Sequence, residues 1–134
     1  MPLDTRTDWD AALRLEDARL ARYGRPASVL IVSLEPAGDG SEDRFAARVG
    51  EAIRAHARET DRVARVGPGR FHVLLPETVE AEASALAERV REACAEMVAG
   101  QPAFDLEIRA VAASPARGGT LADALRRASL RLAE

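Results

Sequence analysis

The side chains best suited to covalent or metal chemistry are few in this sequence: one cysteine and two histidines. Cys94 falls on the apolar stripe of a predicted helix, which favours a buried structural thiol over a nucleophile. Neither His56 nor His72 has the sequence neighbours that a Cys–His pair or a metal site requires. We therefore predict no catalytic residue and no metal site among these three side chains.

Three charged residues, Arg58, Asp61 and Arg89, could form a binding site. Arg58 and Asp61 flank the predicted end of a helix and the start of a strand, and Arg89 follows on the next helix. On their own these residues have an ordinary interpretation, because Arg favours a helix C-terminus, Asp favours a turn, and Arg89 suits a solvated helix face. The residues alone leave this interpretation open beside a binding role.

The composition is that of a globular chain. The 134 residues are enough for one domain, predicted to span 1–134, with 47% hydrophobic and 31% charged residues. The charged residues are almost all Arg, Asp and Glu, which suggests a bacterial coding sequence. The net charge of −3 offers no overall positive field for nucleic acid or an anionic membrane. The lone cysteine and the absence of a membrane-length apolar run predict a soluble, cytoplasmic protein with no membrane insertion.

Hydrophobic periodicity predicts how the candidate residues are positioned. Two short apolar runs around Gly67-Pro68-Gly69 indicate a β-hairpin, with Phe71 buried and the turn exposed. The full predicted order is helix (7–23), strand (28–34), helix (45–59), hairpin (62–75), helix (79–97), strand (106–112) and helix (121–132). Its β-α-β-β-α-β core is the ferredoxin-like pattern, an α+β fold that we expect to contain a mixed sheet with an antiparallel hairpin and extra terminal helices. Both core helices should pack on one face.

The segment 58–71 resembles the centre of GGDEF domains, the diguanylate cyclase family. In that family an Arg-x-x-Asp precedes an apolar strand and the hairpin Gly-Gly-Asp/Glu-Glu-Phe, which here reads Gly67-Pro68-Gly69-Arg70-Phe71. Weaker similarity extends over nearly the whole chain. The resemblance implies the nucleotide-cyclase palm-like version of the ferredoxin-like fold and a role in bacterial signal transduction.

The sequence departs from the family at the positions that hold metal ions against GTP. The first-strand acid corresponds to Ser33, and the hairpin acids correspond to Gly69 and Arg70, which leaves Glu35 as the nearest acid. The loop after the first strand, which reads guanine in the family, is shorter by about seven residues. We therefore predict a degenerate GGDEF domain that is not an enzyme and needs no cofactor.

By the same comparison with the GGDEF family, the residues of the family's inhibitory site are retained in this sequence. Arg58 and Asp61 match its Arg-x-x-Asp, and Arg89 matches a second arginine on the next helix. The resemblance implies that these three residues bind cyclic di-GMP, since guanidinium groups grip phosphate or a guanine edge. An aspartate can accept hydrogen bonds from guanine N1 and N2. The predicted function is a non-catalytic regulatory domain that acts as a cyclic di-GMP receptor.

The sequence leaves one alternative function open and disfavours another. A domain freed from catalysis can serve as a protein-interaction or dimerisation module without nucleotide binding, so a protein partner or a homodimer is expected. An RNA-binding ferredoxin-like domain is disfavoured, because its sheet needs exposed aromatic residues and the predicted strands and their flanks offer only Phe71 and Phe104.

Overall fold

The computed structural model of the chain describes residues 3–35, 43–99 and 106–134. The elements along these residues are α1 (Arg6–Tyr23), β1 (Ala27–Glu35), α2 (Asp43–His56), β2 (Arg62–Gly67), β3 (Arg70–Pro76), α3 (Glu80–Ala99), β4 (Glu107–Ala113) and α4 (Leu121–Leu132). This order confirms the ferredoxin-like core with an added helix at each end. The shortened loop after the first strand and Phe104 lie outside the described residues.

The four strands form one sheet in the order β2-β3-β1-β4. Each neighbouring pair is antiparallel, so the prediction of a mixed sheet is wrong in this detail. The physical reason is that β3 inserts between β1 and β2, which are parallel to each other but never touch. In the described part of the chain, a single bridge between Asp4 and Ala64 is the one parallel pairing.

Helices cover both faces of the sheet. Residues of α2 and α3 form one hydrophobic cluster with Leu30, Val32 and Phe71, which confirms that the two core helices share a face. Residues of α1 and α4 form the second cluster with Val29 and Ile31 on the opposite face. Because β1 lies between two apolar layers, its sequence is an unbroken hydrophobic run and not an alternating one.

The predicted hairpin is present, with Pro68 and Gly69 between β2 and β3. Phe71 is fully buried, as predicted. The expectation of an exposed turn holds for Pro68 but is wrong for Gly69, which is buried. The cause is a hydrogen bond that ties the turn to β1, in which the Leu34 N–H donates to the Gly69 carbonyl over 2.8 Å.

Helix ends follow local hydrogen-bonding chemistry. Helix α1 begins after Thr5, whose side chain accepts from the Asp8 N–H, and ends at Gly24 with a φ of 66°. Helix α2 ends at His56, three residues earlier than the sequence predicts. The described helices include none long and apolar enough to cross a membrane.

Candidate ligand-binding site

The junction between α2 and β2 is a tight turn closed by two reciprocal hydrogen bonds. The Arg58 N–H donates to Asp61 Oδ2 over 2.8 Å, and the Asp61 N–H donates to the Arg58 carbonyl over 3.0 Å. The carboxylate thus takes the N–H that would otherwise continue the helix, which explains why α2 stops early. We call residues 58–61 the junction turn.

Arg54, in the last turn of α2, holds the junction turn from the helix side. Its guanidinium donates through Nη1 to the Asp61 carbonyl over 2.7 Å and through Nη2 to the Arg58 carbonyl over 3.0 Å. Both carbonyl groups at the ends of the turn are therefore bound by one planar group.

The Arg58 side chain reaches across to the end of β3. Its Nη2 donates to the Pro76 carbonyl over 2.7 Å and to the Thr78 hydroxyl. The same nitrogen lies 3.7 Å from Asp61 Oδ1, and the Arg58 side chain is 54% exposed. The guanidinium is fixed at one end and open to solvent at the other.

The Asp61 carboxylate is almost completely withdrawn from water, with 2% of the side chain exposed. Burial raises the pKa of this carboxyl, although the hydrogen bond from the Arg58 N–H and the charges of Arg58 and Arg54 partly oppose the shift. Oδ2 is bound within the turn, whereas Oδ1 has no hydrogen-bond partner among the described residues. An unpaired buried acceptor is costly and is found in few places in native proteins.

All three predicted ligand-binding residues, Arg58, Asp61 and Arg89, line one cleft. Its volume is about 170 Å³, and the remaining lining residues are His56, Leu75, Thr78, Glu82 and Leu86. Arg89 projects from α3, is exposed, and has no ion-pair partner in the described part of the chain. The cleft is therefore lined by Arg89, which has no ion-pair partner among the described residues, by Arg58, which is held by hydrogen bonds to Pro76 and Thr78, and by the buried carboxylate of Asp61.

A larger cavity of about 540 Å³ lies beside the cleft, between α1 and the segment 114–120. It contains none of the three predicted residues and shares only Thr78 with the cleft. An arginine pair and a buried carboxylate converge on the smaller cleft, whereas the two buried polar atoms without a hydrogen-bond partner among the described residues, Asp61 Oδ1 and His72 Nε2, belong to residues that do not line the larger cavity.

The positions that correspond to the family's metal ligands lie at the other end of β3. Ser33 pairs with Arg70 across β1 and β3, and its hydroxyl donates to Glu35 Oε1 over 3.3 Å. Arg70 reaches Ser129 over 3.3 Å. Among residues 3–35, 43–99 and 106–134, no group of three or more histidine, cysteine or acidic side chains could hold a metal ion.

Of the remaining reactive side chains, Cys94 and His72 are buried and His56 is exposed. Burial raises the pKa of the Cys94 thiol to about 11, consistent with the structural role predicted for it. His72 packs against the Trp9 ring at a centroid distance of 5.2 Å. His56 lines the cleft, and its Nδ1 lies 2.9 Å from the Ala52 carbonyl.

Sequence reasoning did not identify Arg54 and Thr78. Arg54 precedes Arg58 by four residues, a spacing that would have placed it over the helix end. Thr78 carried no comparable signal, since only the fold brings the end of β3 next to Arg58.

Comparisons with known proteins agree on the family and the fold. The family model "Diguanylate cyclase, GGDEF domain" matches residues 5–134. A solved structure of the active GGEEF domain of a diguanylate cyclase from Vibrio cholerae has a TM-score of 0.81 at 23% identity, covering 96% of this chain and 88% of that one. The GGDEF domain of DgcB from Caulobacter crescentus in complex with c-di-GMP has a TM-score of 0.73 at 17% identity, covering 96% and 82%.

Another similar structure contains a protein partner. Diguanylate cyclase SiaD in complex with its activator SiaC, from Pseudomonas aeruginosa, has a TM-score of 0.79 at 24% identity, with 96% of this chain and 53% of that one covered. No curated protein matches the chain significantly.

These findings correct one prediction from the sequence. The prediction that the chain is not an enzyme is wrong, because the family model that matches residues 5–134 is that of diguanylate cyclase domains. The prediction treated the missing acids at Ser33, Gly69 and Arg70 as loss of the reaction. The structure places the Glu35 carboxylate against the Ser33 hydroxyl, so the end of β1 does carry an acidic group.

Proposed function

We propose that this chain, which belongs to the diguanylate cyclase family of GGDEF domains, acts as a receptor for cyclic di-GMP. The ligand binds in the cleft between the junction turn and α3, through Arg58, Asp61 and Arg89. One observation carries the proposal: Asp61 lines the cleft, and its buried Oδ1 has no hydrogen-bond partner among the described residues.

Guanine supplies the donors that this carboxylate lacks. Its N1–H and N2 amino group lie side by side on one edge, and an ionised carboxylate accepts from such an edge through hydrogen bonds stronger than neutral ones. Because Oδ1 is buried without ligand, a neighbouring side chain must move for the base to reach it. Arg58 is the nearest cation, at 3.7 Å, and is about half exposed.

The two arginines suit the phosphates of the ligand. Arg89 is exposed and unpaired among the described residues, so binding a phosphate breaks no ion pair. Arg58 must release the Pro76 carbonyl and the Thr78 hydroxyl, which keep the hydrogen bond that Thr78 Oγ1 donates to the Pro76 carbonyl over 2.9 Å. The complex of the DgcB domain with c-di-GMP, in a similar fold, is consistent with the proposal.

The site is separate from the signature hairpin. Strand β3 runs from Arg70 at the hairpin to Pro76 beside Arg58, and seven strand residues span about 20 Å. A ligand in the cleft can therefore bind without occupying the hairpin.

The test is a calorimetric titration of cyclic di-GMP into the wild-type chain and into Arg58→Ala and Arg89→Ala variants. Each substitution should weaken binding by about 1.5–3 kcal/mol, the usual value of a hydrogen bond to a charged group. Arg91→Ala is the matched control, because Arg91 leaves the same helix but pairs with Glu88 and does not line the cleft. Thermal unfolding of each variant controls for folding.

Two outcomes would reject the proposal. No saturable binding by the wild type at high micromolar ligand would favour the interaction module without nucleotide binding. Equal affinity in the wild type and in both cleft variants would place the ligand elsewhere.

A further inference from the structure

Arg54 contacts the backbone of the junction turn and is not one of the residues that line the cleft. It leaves the last turn of α2 and bridges the carbonyl groups of Arg58 and Asp61, at 3.0 Å and 2.7 Å. Its hydrogen bonds therefore act on the backbone that presents the ligand-binding side chains.

The geometry of these bonds needs a guanidinium. Two nitrogens of one planar group donate to two carbonyl oxygens three residues apart in sequence, which fixes their separation and their relative direction. A lysine ammonium in the same place can satisfy one carbonyl as a point charge but cannot hold both in one plane. Half burial of the Arg54 side chain limits competition from water.

The bridge also controls the direction of the Asp61 carboxylate. Asp61 is held at its carbonyl by Arg54, at its N–H by the Arg58 carbonyl, and at Oδ2 by the Arg58 N–H. With these three groups occupied, the remaining oxygen, Oδ1, is held in a fixed position relative to the cleft that Asp61 lines. Releasing the carbonyl from Arg54 frees the turn to rotate and Oδ1 to find another donor.

We propose that Arg54 is a positioning residue for the cyclic di-GMP site, which fixes the junction turn so that Asp61 Oδ1 faces the guanine. The proposal rests on the proposed function and adds a residue that does not touch the ligand. It also predicts that the shape of the guanidinium matters in addition to its charge.

The experiment compares the wild type with Arg54→Lys, which keeps the charge, and Arg54→Gln, which removes it. Calorimetry with cyclic di-GMP and amide hydrogen exchange at Arg58 and Asp61 are measured on the same proteins. Both variants should bind about tenfold more weakly, the scale of one lost charge-assisted hydrogen bond, and should exchange the two amides faster. Arg48→Gln, a change at an exposed arginine of the same helix, should alter neither quantity.

The outcomes separate this proposal from the proposed function. Wild-type affinity in Arg54→Lys would overturn the positioning role while leaving the cyclic di-GMP site intact. A lowered unfolding midpoint with unchanged affinity would show a merely structural role and overturn it as well. Absence of cyclic di-GMP binding by the wild type would overturn both proposals. This outcome differs from the other two because it is seen in the wild type alone, before any variant is compared.

Discussion

The two carboxylate oxygens of Asp61 have different surroundings, and we expect only one of them to bind ligand. Oδ2 closes the junction turn by accepting from the Arg58 N–H, whereas Oδ1 lies 3.7 Å from Arg58 Nη2 but has no hydrogen-bond partner among the described residues. Burial raises the pKa of this carboxyl, and the positive charges of Arg58 and Arg54 oppose that shift. A ligand that donates hydrogen bonds to Oδ1 stabilises the charged form, so ligand binding and ionisation of Asp61 favour each other.

His72 gives the chain a pH-dependent stability that is independent of the ligand. Burial lowers its pKa from 6.5 to about 4, with a further contribution from the charges of Arg70 and Arg6. Because the folded state binds the proton less readily than the unfolded state, stability is full above about pH 6.5 and is lost as the pH falls toward 4. The loss attributable to this ring is on the order of 3 kcal/mol.

Replacing His72 with Phe should remove this part of the pH dependence. The ring packing against Trp9 is retained, while the buried Nε2, which has no hydrogen-bond partner among the described residues, is removed. Urea unfolding at a series of pH values should give a flatter profile between pH 6.5 and 4 for His72→Phe than for the wild type. His56→Phe, at the exposed histidine, is the control, and parallel profiles for His72→Phe and the wild type would contradict the prediction.

At the scale of residues, the sequence predicted side chains better than contacts. The resemblance selected Arg58, Asp61 and Arg89, and the fold brings all three to one cleft. Thr78 could not be predicted, because its contact with Arg58 depends on how β3 returns beside the end of α2. The binding role of the three residues stays a prediction until it is measured.

The helices and strands of the core could be predicted from the spacing of hydrophobic residues and from the residues that favour turns. Every predicted helix and strand is present, because β1, α2 and α3 carry long apolar patterns that match their burial. Element ends were harder to predict, since the end of α2 is decided by one carboxylate from outside the helix. Hydrophobic periodicity does not predict the order of strands in the sheet either, because the position of β3 between β1 and β2 leaves no signal in the local sequence.

The N-terminal segment fixes the strand that follows the junction turn. Asp4 pairs with Arg62 at 2.6 Å and 3.1 Å, and the Trp9 Nε1–H donates to the Arg62 carbonyl over 3.1 Å. Arg6 donates to the Val66 carbonyl over 3.2 Å. These contacts cover the edge strand β2, so Asp61 is held on one side by α2 and on the other by a restrained strand.

The charge of the whole molecule predicts what binding does to its assembly. Cyclic di-GMP carries two phosphates, and a stacked pair of ligands carries four, whereas the proposed site offers Arg58 and Arg89 on a chain of net charge −3. A second copy of the chain can contribute its own Arg58 and Arg89 to the bound phosphates. Binding should therefore promote dimerisation.

Sedimentation velocity with and without saturating cyclic di-GMP tests this expectation. The wild type should shift toward the mass of a dimer, and Arg89→Ala should shift less at the same fractional saturation. GMP, which has a single phosphate, should leave the distribution unchanged. A chain that remains monomeric when saturated would show that one copy accommodates the ligand alone.

A calorimetric titration of cyclic di-GMP into the wild type and into Asp61→Asn tests whether the Asp61 carboxylate binds guanine. An asparagine oxygen can still accept from the Arg58 N–H and keep the junction turn, but its NH₂ group then faces the cleft, where guanine also presents donors. We expect saturable binding by the wild type and a loss of at least about tenfold in Asp61→Asn, with thermal unfolding little changed. Equal affinity in the two proteins would show that guanine does not bind the Asp61 oxygen and would contradict the proposed site.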